Sequence, residues 1–372
     1  MQEWSIAQNT EGRTLLKFLS LMYPKAPKSV FYKALRENKI KIDRKKPKEL
    51  SYVLSAGEHV QIYFTDEQAA GFGWQDSGDD SATASADLSV TVSVSASSVM
   101  PRSWVIYEDD NLLIVNKPSG VLTQKSRPED VSLTEMALGY LLQNGYQLSA
   151  GFTPGFVQRL DRNTGGLMMM GKTLKASAAL SEMIREHKVK KVYAAVCEGA
   201  PSDWEKETTL RHSYHKDSNK NKAIIGRVDD DSKLSSDEIV ICKVRCVSAY
   251  HGRSGLLLEL ISGKSHQLRA QLAFEGYPLV GDTKYGGTAE GKNSKNTVST
   301  ESVASDIGRG QWLFAWQLSF DECPEELKYL EGKTFTAPLP EAMQPWFSGT
   351  DVGRSGKGSG KSAARGLGGG KS

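Results

Sequence analysis

Nothing in this sequence approaches the run of about 20 apolar residues that a membrane-spanning helix requires. Its opening residues, "MQEWSIAQNT", carry neither the basic start nor the apolar stretch of a secretory signal. A cytoplasmic protein without a membrane partner is the expectation. Cysteine is scarce: Cys197, Cys242, Cys246 and Cys323 are the four in 372 residues. Cys242 and Cys246 share one face of the alternating stretch "VICKVRCVSAY", but they are too far apart along it to pair directly. These thiols read as packing residues, and no metal site is expected. Internal repeats are absent as well.

Positive charge is missing from residues 66–101, which hold Asp66, Glu67, Asp76, Asp79, Asp80 and Asp87 and no Lys or Arg. Large apolar residues are almost missing from the basic tail "GRSGKGSGKSAARGLGGGKS". Residues 1–65 are the opposite case, with twelve Lys/Arg against six Asp/Glu. The net charge of +3 therefore hides strong segregation, and basic ends around a mixed middle suit a polyanionic partner. These breaks give four parts: a globular unit at 12–65, an acidic flexible linker at 66–103, a larger unit at 104–347, and a disordered basic tail at 348–372. Within the linker, "LSVTVSVSASS" alternates like a strand but has no aromatic anchor, so it is read as low-order.

The first unit shows two helical patterns, "TLLKFLSLMY" and "SVFYKALREN". They are followed by "KIKID", a turn, and "YVLSAGEHVQIYF". Lys25, Lys28, Lys33, Arg36, Lys39, Lys41, Arg44 and Lys45 crowd the second helix and the turn, with Lys46 beside them. This arrangement resembles the S4 RNA-binding domain, whose basic helical face meets phosphates, and "AGEHVQIYF" is similar to that domain's "AGD-x-V" ending. The family's Ser-Arg at the second helix is replaced here by "APKS". A solvated helix face is the plainer alternative, but nine basic residues in 22 positions favour phosphate contact.

One stretch, "GLMMMGKT" from Gly166 to Thr173, fits the phosphate-loop pattern G-x-x-x-x-G-K-[ST] letter for letter. Such a loop needs bare or polar positions that turn backbone N–H groups toward an anion. Here those positions are Leu167, Met168, Met169 and Met170, which read as a buried strand with its N–H groups committed to ladder bonds. The phosphate-loop reading fails.

The chemistry sits one loop earlier, in "RLDRNTGG". Asp161 stands between Arg159 and Arg162, and a neighbouring guanidinium can keep such a carboxylate ionised as nucleophile or base. Alone, Arg-x-Asp would read as a structural ion pair. Its company changes that. The stretch resembles the "H-R-L-D-x-x-T-S-G-L" signature of the RluA-type pseudouridine synthases, and four further segments agree in order. "VIYEDDNLLIVNKPSGVLT" is similar to that family's entry strand and "NKPSG" turn, and "KKVYAAVCEG" to its "K-x-Y-x-A-x-V-x-G" strand. "LISGKSHQLRAQLAFEGYPLVGDTKYGG" resembles its "G-[RK]-T-H-Q-I-R-x-H" helix and "G-D-x-x-Y-G" turn, and "LFAWQLSF" with "FTAPLP" its closing strands. Two positions depart: Gln158 stands for the usual His and Gly165 for the usual Ser.

The resemblance implies an α+β fold: a mixed, mainly antiparallel β-sheet flanked by helices, preceded by the small α/β S4-like domain. It implies conversion of uridine to pseudouridine in structured RNA, by breaking C1′–N1 and rejoining through C5 after the base leaves its stack. No cofactor is needed. Asp161 acts at the sugar or base, Arg269 of "HQLR" is its paired guanidinium, and Tyr193 stacks on the uracil and assists proton loss at C5. Arg159, Arg162 and Thr164 fall at the substrate, with Arg159 filling the gap left by the flipped base. Taken singly, Tyr193 would be an ordinary core tyrosine, Arg269 a helix-surface charge, and Asp282 a turn cap. His266 is left as structural. An S4-like module ahead of this catalytic type points to large-subunit ribosomal RNA, with tRNA as the runner-up and a non-catalytic RNA-binding protein behind. The segment His212–Lys233 resembles a spacer of the rRNA-modifying members. A glycoside hydrolase would need a second carboxylate motif, and the sequence has none of comparable quality. A monomer that binds RNA is the expected working form.

Overall fold

The computed structural model describes residues 1–74, 99–148, 152–228, 235, 238–288 and 310–350. The "LSVTVSVSASS" stretch and the tail beyond residue 350 lie outside the described residues. The small unit comprises β1 (Gln2–Ser5), α1 (Leu15–Met22), α2 (Lys28–Arg36), β2 (Ile40–Ile42), β3 (His59–Ile62) and α3 (Asp66–Gly71). Leu15, Phe18, Leu19 and Met22 recur at helical spacing on α1 and are buried, as are Phe31, Ala34 and Leu35 on α2. They close over a three-stranded antiparallel sheet ordered β1-β3-β2.

Ordered structure exceeds the expected bounds of this unit at both ends. β1 starts at Gln2, not near residue 12, because Trp4 and Ile6 bury into the unit's core. α3 falls in the stretch expected to be linker. Thr65 accepts a hydrogen bond from the Gln68 N–H while the Gln68 side chain answers the Thr65 N–H, forming a capping box. Trp74 then meets Trp4 edge-on at 5.3 Å. The acid-rich composition concealed a short capped helix and its aromatic anchor.

The large unit opens with β4 (Val105–Glu108), β5 (Leu112–Lys117), α4 (Leu133–Gln143), β6 (Gly155–Phe156), β7 (Gly165–Gly171), α5 (Leu174–Arg185) and β8 (Val189–Glu198). It continues with β9 (Thr208–Asp217), β10 (Lys222–Gly226), β11 (Ile239–Tyr250), β12 (Arg253–Leu260), α6 (Gln267–Phe274), β13 (Leu313–Phe320) and β14 (Thr334–Thr336). Among the described residues one sheet runs β10-β9-β11-β12-β8-β13-β7-β5-β4, with β14 on β13 and β6 on β7. Among the strands of the described residues, only β7 and β13 pair in parallel, and every other pair is antiparallel. The mixed, mainly antiparallel sheet of the α+β expectation is present. The spacer beginning at His212 folds, through Gly226, as the outer hairpin β9–β10.

Strand alternation splits the apolar residues into two cores, one on each face of the sheet. Met168, Met170, Tyr193 and Ala195 pack with α4 and α6 on one face. Leu167, Met169, Ala194 and Val196 pack with α5 on the other. The Leu-Met-Met-Met run is thus a fully buried central strand. The Lys and Thr that completed the phosphate-loop pattern have structural posts: Lys172 pairs with Glu108 at 3.0 Å, and Thr173 caps α5 through the Ala176 N–H.

Where β7 runs beside β13, Gly166 holds φ at +113°, and a Cβ there would overlap the Ala315 backbone. Gly166→Ala therefore combines backbone strain with overpacking, for a loss of roughly 3 kcal/mol or more. Calorimetry is the check, and an unchanged Tm would contradict the close approach. The two units touch where Lys175 of α5 pairs with Glu11 at 2.7 Å and the Asn9 amide donates to the Tyr146 hydroxyl at 2.9 Å.

Candidate active site

Asp161 sits in the loop between β6 and β7, and the "NKPSGVLT" loop splints that segment from behind. Lys117, fully buried, donates to the carbonyls of Pro118, Val121 and Arg162 at 3.0, 2.8 and 2.9 Å. Three acceptors match the three N–H of an ammonium. Burial pulls the Lys117 pKa down to about 7, while the Asp161 charge pulls it the other way. The Thr123 hydroxyl donates to the Leu160 carbonyl at 3.0 Å and Ser119 to that of Asn163 at 2.8 Å. Lys117→Met would leave buried carbonyls bare, for a loss of roughly 1–3 kcal/mol each. Faster amide exchange across residues 160–164 would report the loosened loop; unchanged exchange would show that the splint is not what orders it.

Arg269 enters from α6 and bridges two carboxylates. Its Nη1 donates to Asp161 Oδ2 at 2.8 Å, while Nε and Nη2 fork onto both oxygens of Asp282 at 2.7 and 2.8 Å. Asp282 is only 2% exposed. Burial alone would depress the guanidinium pKa, but the bonds to Asp282 and then Asp161 outweigh it and raise it. The expected Arg269–Asp161 pair is therefore present. Asp282, expected only as a turn cap, is what locks the arginine. The other Asp161 oxygen, Oδ1, has no hydrogen bond among the described residues, and Asp161 lines a cleft of about 720 Å³. That volume suits a small-molecule or single-nucleotide pocket.

Tyr193 lines the same cleft from β8. Burial first, and the Asp161 charge second, raise its pKa, so at neutral pH it presents an O–H rather than a phenolate. Arg159 and Arg162 are exposed at the cleft wall, where the Arg162 Nε donates to the Gly120 carbonyl at 3.0 Å. Thr164, expected at the substrate, is buried, with its hydroxyl taking the Gln311 amide at 3.0 Å. Its hydroxyl is committed to holding the loop. His266, expected as a structural residue, stands with Nε2 3.9 Å from Asp161 Oδ2. It caps α6 in the left-handed region at φ 56°, and its Nδ1 lies 3.1 Å from the Tyr285 hydroxyl. Burial lowers its pKa against the opposing pull of Asp161. Tyr285 in turn accepts the Ala223 N–H at 2.7 Å, and its ring lies 5.2 Å from the Arg269 guanidinium carbon.

The two departures have local reasons. Gln158 donates its amide to the Leu167 carbonyl at 3.1 Å, a bond that braces the chain just before Asp161. A side chain at Gly165 would come within 3.2 Å of the Phe314 ring and 3.1 Å of the Lys117 carbonyl. The basic residues of the small unit stay apart from this cleft. Lys25, Lys28, Lys33, Arg36, Arg44 and Lys45 are exposed, and Lys39 and Lys41 half-buried. Lys33 and Lys39 share Glu37, and the Lys41 ammonium lies 5.1 Å from the Tyr63 ring centre.

Sequence reasoning missed Lys191 as a cleft residue, and Lys117, Asp282 and Tyr285 as the residues that hold the Asp161 loop, Arg269 and His266 from behind, although each lies inside a motif it had quoted. Period-two alternation would have put Lys191 on the Tyr193 face of β8.

The sequence pattern of the RNA pseudouridylate synthase family matches residues 111–274. The ribosomal large subunit pseudouridine synthase D of Neisseria meningitidis is 32% identical over 238 residues, 64% of this chain and 58% of that protein. The chain thus spans 58% of that relative's length. An uncharacterized RNA pseudouridine synthase of Bacillus subtilis is 30% identical over 248 residues, 66% of this chain and 75% of that protein. Another, of Mycoplasma capricolum, is 25% identical over 337 residues, 90% of this chain and 96% of that protein, so the likeness runs through both units.

Proposed function

Because this chain belongs to the RNA pseudouridylate synthase family, we propose that it isomerises specific uridines to pseudouridine in structured RNA, and in large-subunit ribosomal RNA before others. The observation that carries this reading is the charge relay at the cleft. Asp161 has one oxygen tied to an arginine that Asp282 locks, and it lines the same cleft as Tyr193.

A uridine leaves its stack and enters the cleft, where its ring lies on Tyr193. Arg159 and Arg162, exposed at the wall, meet the RNA that remains outside, and Arg159 fills the gap in the stack. Asp161 Oδ1 then acts on the ribose, as a nucleophile at C1′ or as a base on the sugar. In both cases the C1′–N1 pair leaves with the base. The uracil turns and C5 bonds to C1′ as the Asp161–C1′ bond breaks or, where Asp161 acted as a base, as it returns the sugar proton; the C5 proton is then lost and N1 gains one. Arg269 cannot swing away during this, because its fork onto Asp282 fixes its plane. Tyr193 brings a phenol O–H to the base, and it can take the C5 proton only after giving up its own.

The small unit is S4-like in sequence pattern, and its Lys28 and Arg36, eight residues apart on α2, present a basic face to RNA phosphates. Such an enzyme works as a cytoplasmic monomer without a cofactor. Several relatives carry ribosomal large subunit names, which favours rRNA over tRNA. The test is tritium release from RNA labelled at C5 of uridine, with bulk ribosomal and transfer RNA assayed separately. Release from rRNA is expected. Release from tRNA alone would keep the chemistry and overturn the substrate; tight binding without release would point to a non-catalytic RNA-binding protein.

A further inference from the structure

β8 carries two adjacent lysines with opposite surroundings. Lys190 points away from the cleft and pairs with Glu259 at 3.0 Å. Lys191 points into the cleft, is 8% exposed, and has no hydrogen bond or ion pair among the described residues. Burying an unpaired ammonium is costly, and a strand that needed only packing at this position would be served by Leu or Met. Desolvation accordingly lowers the Lys191 pKa with no opposing partner. Two residues further along the same face comes Tyr193, 7% exposed, whose hydroxyl also lacks a partner among the described residues. Two donors on one strand face, without a protein partner among the described residues and both opening on one cleft, suit a polar ligand that brings its own acceptors.

We propose that Lys191 is a catalytic residue of the cleft, meeting a ring carbonyl oxygen of the uracil stacked on Tyr193 and stabilising the charge on the departing base. The inference rests on the uridine-isomerising reading above. Side chains two apart on a strand lie about 6.6–6.8 Å apart, so a lysine stem brings its ammonium to the edge of a ring that lies on the tyrosine. A phosphate is the other acceptor RNA could offer. Phosphates, however, meet the exposed Arg159, Arg162, Lys216 and Lys284 at the cleft wall before they could reach a buried group. The charge requirement is set by the bond that breaks. When C1′–N1 cleaves, its electron pair leaves with the base and spreads over N1 and the carbonyl oxygens O2 and O4. C5 returns a pair to C1′ when the new bond forms, and the C5 proton is replaced by one on N1. A cation at a carbonyl oxygen is worth most at the moment the base is free and anionic.

The test compares wild type with Lys191→Met and Lys191→Arg, in the C5-tritium assay on whichever RNA the wild type modifies, with Tm and RNA affinity measured alongside. For Lys191→Met a fall in kcat of about a hundredfold is expected. KM and RNA affinity should be nearly unchanged, and Tm unchanged or higher. Lys191→Arg should restore much of kcat, because it returns the charge. Wild-type kcat in Lys191→Met with a raised Tm would make the lysine a packing residue and overturn the inference alone. A loss confined to KM and affinity would assign it to a phosphate and overturn it too. If Lys191→Met is poorly soluble, Lys191→Gln must show the same split between kcat and KM. An inactive wild type on both RNA classes would instead bring down the parent reading, and this inference with it.

Discussion

Asp161→Asn is expected to remove tritium release altogether, a fall in kcat of at least about 10⁴-fold, the scale seen when an enzyme loses the group that attacks. The shape of the side chain is kept, so the amide still sits between the splinted loop and Arg269. The arginine keeps its bidentate partner Asp282, so no buried cation is orphaned. Stability should therefore change by no more than about 1 kcal/mol. RNA affinity should hold as well, because the exposed basic side chains proposed to meet phosphates are untouched. Circular dichroism, Tm and a binding isotherm would establish the intact fold. Turnover above about a hundredth of wild type would remove Asp161 from the bond-breaking step.

Arg269→Met should be the most damaging single change to stability at the site. It leaves the Asp282 carboxylate, 2% exposed, without its cation, and breaking a buried pair from one side costs about 3–5 kcal/mol. At roughly 2–4 °C per kcal/mol for a unit of this size, Tm should fall by about 10 °C. Activity should vanish with it, since Asp161 loses its hydrogen bond to the guanidinium. The double variant Arg269→Met with Asp282→Asn separates the two losses. Removing both charges should recover much of the stability, because the desolvation cost leaves with them, yet restore no turnover. Arg269→Lys should keep more of the fold than Met but little activity, because a point charge cannot fork onto one carboxylate while holding another. A double variant that turned over RNA would show that the charge chain only holds the fold.

Several of these effects trace to residues that periodicity and motif reading had already singled out. The buried strand at Gly165–Gly171 was readable because four bulky apolar side chains in sequence can only be buried on both faces. That also disposed of the phosphate-loop match. β1 and α3 were not readable, since each is too short for a period to register and each is secured by distant partners: β3 for one, the Trp4–Trp74 contact for the other. Asp282 and Lys191 belong to the same class of miss. Nothing in "GDTKYGG" says that its carboxylate will face an arginine thirteen residues earlier, and nothing in "KKVYAAV" says that one lysine has a partner and the next has none among the described residues.

The sequence by itself determined the chemistry-bearing types and the local elements that carry them: an aspartate in a glycine-ended loop, a tyrosine on an alternating strand, an arginine on a helix. Those depend on hydrophobic period and turn chemistry, which act over a few residues. Only the tertiary structure decided which charges meet. Asp161 and Arg269 are separated by more than a hundred residues, and Lys191 opens on the same cleft as both. Coulomb attraction and desolvation depend on distance and burial in space, and neither quantity exists until the sheet has brought its strands side by side.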